Sequence, residues 1–142
     1  MKKILIVNAN YYKKISANLV FSANKKLKEH KIKTKIVEVP GVFEIPFILS
    51  KYIKKYDAFL ALGCVIKGET PHFDLICRST FDAIIKISVI NKKPIGNGII
   101  TSLNMGQALA RSSIIKSPKK INKGIEAARA VISLLKDEPK KN

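Results

Sequence analysis

Between Gly63 and Asp74 the chain runs Gly63-Cys64-Val65-Ile66-Lys67-Gly68-Glu69-Thr70-Pro71-His72-Phe73-Asp74. The apolar run from Ala58 to Ile66 stops at Lys67-Gly68, and a hydroxyl and an imidazole follow at once. Gly68 lets backbone amides turn inward, Thr70 adds a hydroxyl donor, and a helix starting near Phe73 contributes its positive end. Together they outline a phosphate or carboxylate cradle. It is not a Walker loop, because the GxxxxGK[ST] pattern is absent. His72 stands on the rim of this cradle, and an imidazole, which changes charge close to neutral pH, suits proton transfer. His30, in a lysine-rich stretch, is read instead as a solvated or structural histidine.

Three further places carry usable chemistry. Tyr11 offers an aromatic face, or is a plain surface tyrosine. Pro40-Gly41-Val42-Phe43-Glu44 turns sharply into a helix, with a carboxylate that could bind a ligand or merely complement the helix dipole. Arginine is rare in this chain, and Arg111 follows the fourth apolar run; its planar fork suits phosphate, although spacing alone does not bring it to the cradle.

Strands and helices must alternate to position these groups. Lys3 to Asn8 is a β-rich apolar run, and Ile15, Leu19, Val20, Ala23 and Leu27 then form a helical stripe with Ser16 near its start. Thr34 to Val39 alternates as a short strand that ends at the breaker pair Pro40-Gly41. A helix is predicted over Glu44 to Tyr56, with Pro46 in its first turn. Asp57 to Ile66 is apolar throughout, as a parallel strand covered on both faces would be. A long helix is predicted from Phe73 to Asn91, with Ile76, Cys77, Ile84, Ile87 and Ser88 near the core. Ile95 to Thr101 reads as a fourth strand weakened by Gly96 and Gly98. A helix over Asn104 to Ile115, a loop over Lys116 to Ile121 and a helix over Asn122 to Lys136 complete the pattern, and the tail from Asp137 to Asn142 should fray. The expected fold is α/β: a three-layer α/β/α sandwich on a four-stranded parallel sheet, flavodoxin-like, as one domain over residues 1–142. Four loops then meet at the carboxyl edge of the sheet, the side on which open α/β folds bind ligands.

Composition narrows the function classes. With 142 residues and 46% apolar content the chain suits one globular domain, and disorder is excluded. No apolar run approaches the ~20 residues that a membrane span needs, and the amino-terminal stretch reads as a first strand rather than a signal peptide. The cytoplasm is the expected location. Cys64 and Cys77 lack metal-ligand spacing and read as small buried hydrophobes, so neither a metal nor a disulfide is expected. The net charge of +17 invites a nucleic-acid reading, yet the lysines are scattered over helix faces and loops without an aromatic platform. Solvated faces come first, attraction of an anionic substrate second, and nucleic acid last.

The segments Val39-Pro40-Gly41-Val42-Phe43-Glu44-Ile45-Pro46, Gly63 to Asp74 and Asn122-Lys123-Gly124-Ile125-Glu126-Ala127-Ala128 closely resemble the 6,7-dimethyl-8-ribityllumazine synthase family, in order and over nearly the whole chain. The resemblance implies condensation of 5-amino-6-ribitylaminouracil with 3,4-dihydroxy-2-butanone 4-phosphate, with no metal or organic cofactor. It also implies that Tyr11 stacks on the pyrimidine, that Val42, Phe43 and Glu44 hold the ribityl chain, and that Val65 and Ile66 line the ring pocket. Glu69 and Thr70 would offer backbone and hydroxyl donors to the phosphate, His72 would shuttle protons, and Arg111 would bind phosphate from the neighbouring subunit with help from Lys123. Asn97 stands where the family commonly has a phenylalanine packing on the substrate from the adjoining subunit. Gly106-Gln107-Ala108 replaces the usual Glu-Gln-Ala. The stretch from Ser112 to Ile121 and the start close to the first strand resemble the pentameric members, so a pentamer or pair of pentamers is expected rather than a 60-subunit shell. Two other readings compete. A receiver-type or flavodoxin-like module would want an acidic cluster or flavin loop after the first strand, and Asn8-Ala9-Asn10-Tyr11 is neither. A catalytically weak relative binding flavin-like ligands or anions is the alternative that the charge and Asn97 leave open.

Overall fold

The computed structural model of the chain describes residues 1–115 and 121–136; most of the loop predicted before Ile121 and the tail from 137 to 142 lie outside the described residues. Strands β1 (Lys3–Ala9), β2 (Lys33–Val39), β3 (Ala58–Ile66) and β4 (Ile95–Ser102) form one sheet in the order β2-β1-β3-β4, every pair parallel. Helices α1 (Lys13–Glu29), α2 (Ile45–Lys51), α3 (His72–Asn91), α4 (Met105–Ser112) and α5 (Lys123–Lys136) cover its two faces, giving the three-layer flavodoxin-like α/β arrangement.

Each face has its own core. Ile15, Leu19, Ala23 and Leu27 recur every fourth residue on α1, so they form one stripe, which packs with Ala127, Ala128 and Val131 of α5 over Ile4, Ile6, Leu60 and Leu62. On the other face Ile45 and Leu49 of α2 and Ile84 of α3 pack over Leu5, Val7, Phe59 and Ala61. The central strands are buried on both sides, which is why β3 is apolar without alternation. Fully burying each such Leu or Ile stabilises the fold by about 1.5–3 kcal/mol.

Two expectations need correction. The helix predicted over Glu44 to Tyr56 is a single 3-10 turn, Val42–Glu44, followed by α2, which stops at Lys51. The Lys93 ammonium takes the Ile53 and Tyr56 carbonyls at 2.7 and 2.8 Å, holding that stretch in turns. The helix predicted over Asn104 to Ile115 runs only from Met105 to Ser112: Asn104 is its cap, accepting from the Gln107 amide at 2.9 Å, and Ser113 is extended. Along α3, Thr80 and Ile84 are buried and Ile76 and Ile87 pack half-buried against the core around Ile84, with Cys77 and Ser88 also half-buried. Its Leu75, Ile85, Val89 and Ile90 are all more than 60% exposed, more apolar surface than one sheet face covers.

Candidate active site

The sheet order reverses between β1 and β3, and their carboxyl ends open there on a cavity of about 600 Å³. The Glu44 amide closes the 3-10 turn on the Gly41 carbonyl at 3.2 Å, which carries Val42, Phe43 and Glu44 onto one wall. Tyr11 and Tyr12, edge to face at 4.9 Å, form another wall, and Val65 and Ile66 form the floor at the end of β3. His72 opens α3 and faces the same space with Ile76 one turn on, so both lie on one side of the helix. Tyr11, Val42, Phe43, Glu44, Val65, Ile66 and His72 therefore line one cavity together.

The loop that leads to His72 differs in detail. Glu69 and Thr70 are exposed and are not among the residues that line this cavity. The Thr70 hydroxyl oxygen accepts from the His72 amide at 3.4 Å, so it holds the start of α3. Gly68 does not use the left-handed region of backbone space, and a Cβ built on it would meet nothing within 4 Å. Its contribution is the open space above the loop. The fourth loop, Ser102 to Asn104, is occupied with capping α4 and does not reach the cavity.

Asn97, Arg111 and Lys123 line a second cavity, of about 440 Å³, beside the free edge of β4. It shares no lining residue with the first. The Arg111 guanidinium donates to the Gln107 carbonyl at 3.3 Å, and the Lys123 ammonium meets the Glu126 carboxylate at 3.2 Å. One carboxylate against two cations leaves this cavity net positive, which suits an anion. The Asn97 side-chain oxygen accepts from the Ile99 amide at 3.0 Å, so it is turned back onto its own strand.

The sequence pattern of the 6,7-dimethyl-8-ribityllumazine synthase family matches residues 1–138. The chain belongs to the 6,7-dimethyl-8-ribityllumazine synthase family. Proteins named 6,7-dimethyl-8-ribityllumazine synthase resemble it closely: that of Methylorubrum populi is 38% identical over 140 residues, covering 94% of this chain and 80% of its own. The one of Novosphingobium aromaticivorans is 39% identical over 137 residues, covering 95% of each chain. The protein named 6,7-dimethyl-8-ribityllumazine synthase 1 of Rhodopseudomonas palustris is 39% identical over 141 residues, covering 94% of this chain and 84% of its own. Among the described residues of this lumazine synthase family member, no group of three His, Cys, Asp or Glu side chains could hold a metal ion, and no helix is long and apolar enough to cross a membrane.

Several cavity residues were not singled out as ligand contacts from sequence. Tyr12 adjoins Tyr11, and burial, with the Cys64 thiol and Tyr11 near it, pushes its phenol above its ordinary range. Cys64 was read only as a small core residue; it is core and also cavity wall. Burial pushes its thiol up to about 11. Since the thiolate is the reactive form, Cys64 in the folded protein at pH 8 should be alkylated by iodoacetamide roughly a hundredfold more slowly than an unfolded thiol. Peptide mass spectrometry over time reads this directly, and rapid labelling of Cys64 in folded protein would contradict it. Phe81 and Glu126 join the second cavity through the fold alone, Phe81 without any motif.

Proposed function

We propose that the protein condenses 5-amino-6-ribitylaminouracil with 3,4-dihydroxy-2-butanone 4-phosphate to 6,7-dimethyl-8-ribityllumazine, releasing phosphate and water, a step of riboflavin biosynthesis. The reading rests above all on one observation: an imidazole, a carboxylate and an aromatic ring, those of His72, Glu44 and Tyr11, share one cavity in a chain whose family match covers residues 1–138. In this reading Tyr11 stacks on the pyrimidine, Val65 and Ile66 bound its ring, and Val42, Phe43 and Glu44 hold the ribityl chain, the carboxylate accepting from hydroxyls. The amine attacks the ketone, an imine forms as water leaves, phosphate departs by elimination, and the second amine attacks the remaining carbonyl and closes the ring with loss of a second water. Every step moves a proton, so one imidazole serves repeatedly. Holding the two substrates in register lowers the barrier further, by up to ~7–11 kcal/mol in the best intramolecular cases.

Phosphate falls to Arg111 and Lys123, with Glu69 and Thr70 offering backbone and hydroxyl donors from the loop. Because the two cavities are separate on one chain, the second is assigned to the neighbouring protomer, so that each complete site spans an interface. The exposed apolar residues of α3, with Phe43 and Phe47, supply surface for that contact. The assembly is a pentamer or a pair of pentamers rather than a 60-subunit shell, which sedimentation velocity decides. The same reading puts the enzyme in the cytoplasm. Lumazine absorbance and phosphate release from purified protein and both substrates test the activity, and no acceleration over the spontaneous condensation would end the proposal. Arg111→Ala should raise KM for the butanone phosphate about tenfold or more while sparing KM for the pyrimidine, since a charge-assisted contact to phosphate contributes ~1.5–3 kcal/mol. Equal effects on both substrates would remove Arg111 from the phosphate site.

A further inference from the structure

The cavity beside β4 has two chemically different walls. Arg111 of α4 and Lys123 of α5 supply cations on one, whereas Phe81 of α3 and Ile99 of β4 make the other apolar. A phosphate accounts for the cations alone. The apolar wall calls for a flat, weakly polar group, and Phe81 is the one aromatic ring among the residues lining this cavity. Asn97, which lies on the same wall, cannot offer such a surface, because its amide oxygen is engaged by the Ile99 amide of its own strand. Helix geometry explains how α3 serves both cavities. His72 and Ile76 lie one turn apart on the side facing the first cavity, and Phe81, five residues beyond Ile76, is rotated by roughly 140° and displaced by about 7.5 Å along the axis.

We propose that Phe81 is a specificity-determining residue for the condensation: its ring, presented across the subunit interface, packs on the pyrimidine ring held in the first cavity of the adjoining protomer. This rests on the functional reading given above and extends it to a residue on α3. Phe81 is half-buried, packed against the core that lies under α2 and α3. The same helix leaves Ile85, Val89 and Ile90 exposed, apolar surface that a neighbouring protomer would cover.

The test uses the assembled enzyme. Phe81→Leu keeps apolar packing and removes the π-face, and Phe81→Tyr keeps both. Stacking of a base on an aromatic side chain justifies an expected loss of about tenfold. Phe81→Leu should therefore raise KM for the ribitylaminouracil, and weaken its binding by titration calorimetry, about tenfold. KM for the butanone phosphate and the melting temperature should stay close to wild type, and Phe81→Tyr should behave as wild type. The split is the reverse of that expected for Arg111→Ala. If the wild type binds the pyrimidine and Phe81→Leu binds it equally well, or if both KM values rise together with a falling melting temperature, Phe81 is only structural and the proposal is overturned. A wild type that binds no pyrimidine would instead overturn the functional reading and this extension together.

Discussion

Replacing His72 by alanine is expected to lower kcat by about 10²–10⁴-fold, the usual contribution of a positioned general acid–base group. The variant should fold, because His72 is exposed and opens a helix rather than filling a core. Its backbone amide, not its ring, makes the contact to Thr70, so the start of α3 is retained. KM values should change little, since the ring pocket and ribityl wall come from Tyr11, Val42, Phe43, Glu44, Val65 and Ile66. Added imidazole should restore part of the lost rate, a response that a merely structural histidine would not give. Turnover within about threefold of wild type, with no imidazole effect, would take proton transfer away from His72. Residual acceleration well above the uncatalysed reaction is expected to survive, because substrate positioning does not depend on the imidazole.

The second large effect belongs to Gly124→Ala. A Cβ at this position would drive into the Leu19 carbonyl oxygen and lie 3.1 Å from its carbonyl carbon. These are backbone atoms of α1 and cannot rotate aside, so α5 must retreat. Alanine does improve helix propensity over glycine by up to ~1 kcal/mol, yet overpacking of this kind costs about 1–3 kcal/mol and the clash is with backbone. The net loss should be about 2 kcal/mol, a fall in melting temperature of roughly 6–10 °C for a chain of this size. Lys123 and Glu126 flank Gly124 on the same helix, so the retreat should also raise KM for the butanone phosphate. Gly68→Ala is the control: nothing lies within 4 Å of the added methyl, and stability should be unchanged within ~0.5 kcal/mol. Gly124→Ala melting with the wild type would mean that α1 and α5 are not held this close in solution.

Much of this was legible along the chain. The unbroken apolar run into Ile66 marks a strand covered on both faces, and β3 lies between β1 and β4 with a helical layer on each side. The stripe at Ile15, Leu19, Ala23 and Leu27 gave α1 its buried face. The motif at Pro40–Glu44 follows β2 and the one at Gly63–Asp74 spans the end of β3, and parallel topology brings the ends of such strands to one edge. Other features were illegible because their cause is remote. The early end of α2 is imposed by Lys93, about forty positions away in sequence. Gly124 reads only as part of the family-like segment Asn122 to Ala128, yet it faces the Leu19 backbone at a distance that leaves no room for a Cβ. Cys64 looked like core filler until the strand end placed it on a cavity wall.

What the sequence by itself determined is the alternation of elements, their parallel class and the types of group at each strand end, because periodicity and turn chemistry act over a few residues at a time. Only the tertiary structure decided that His72 and Arg111 stand in different cavities, that Phe81 shares a wall with Asn97, and that α3 leaves apolar residues uncovered. Those outcomes depend on which strand occupies an edge and how a helix is rotated over the sheet. Packing of the whole chain sets both, and no local window contains them.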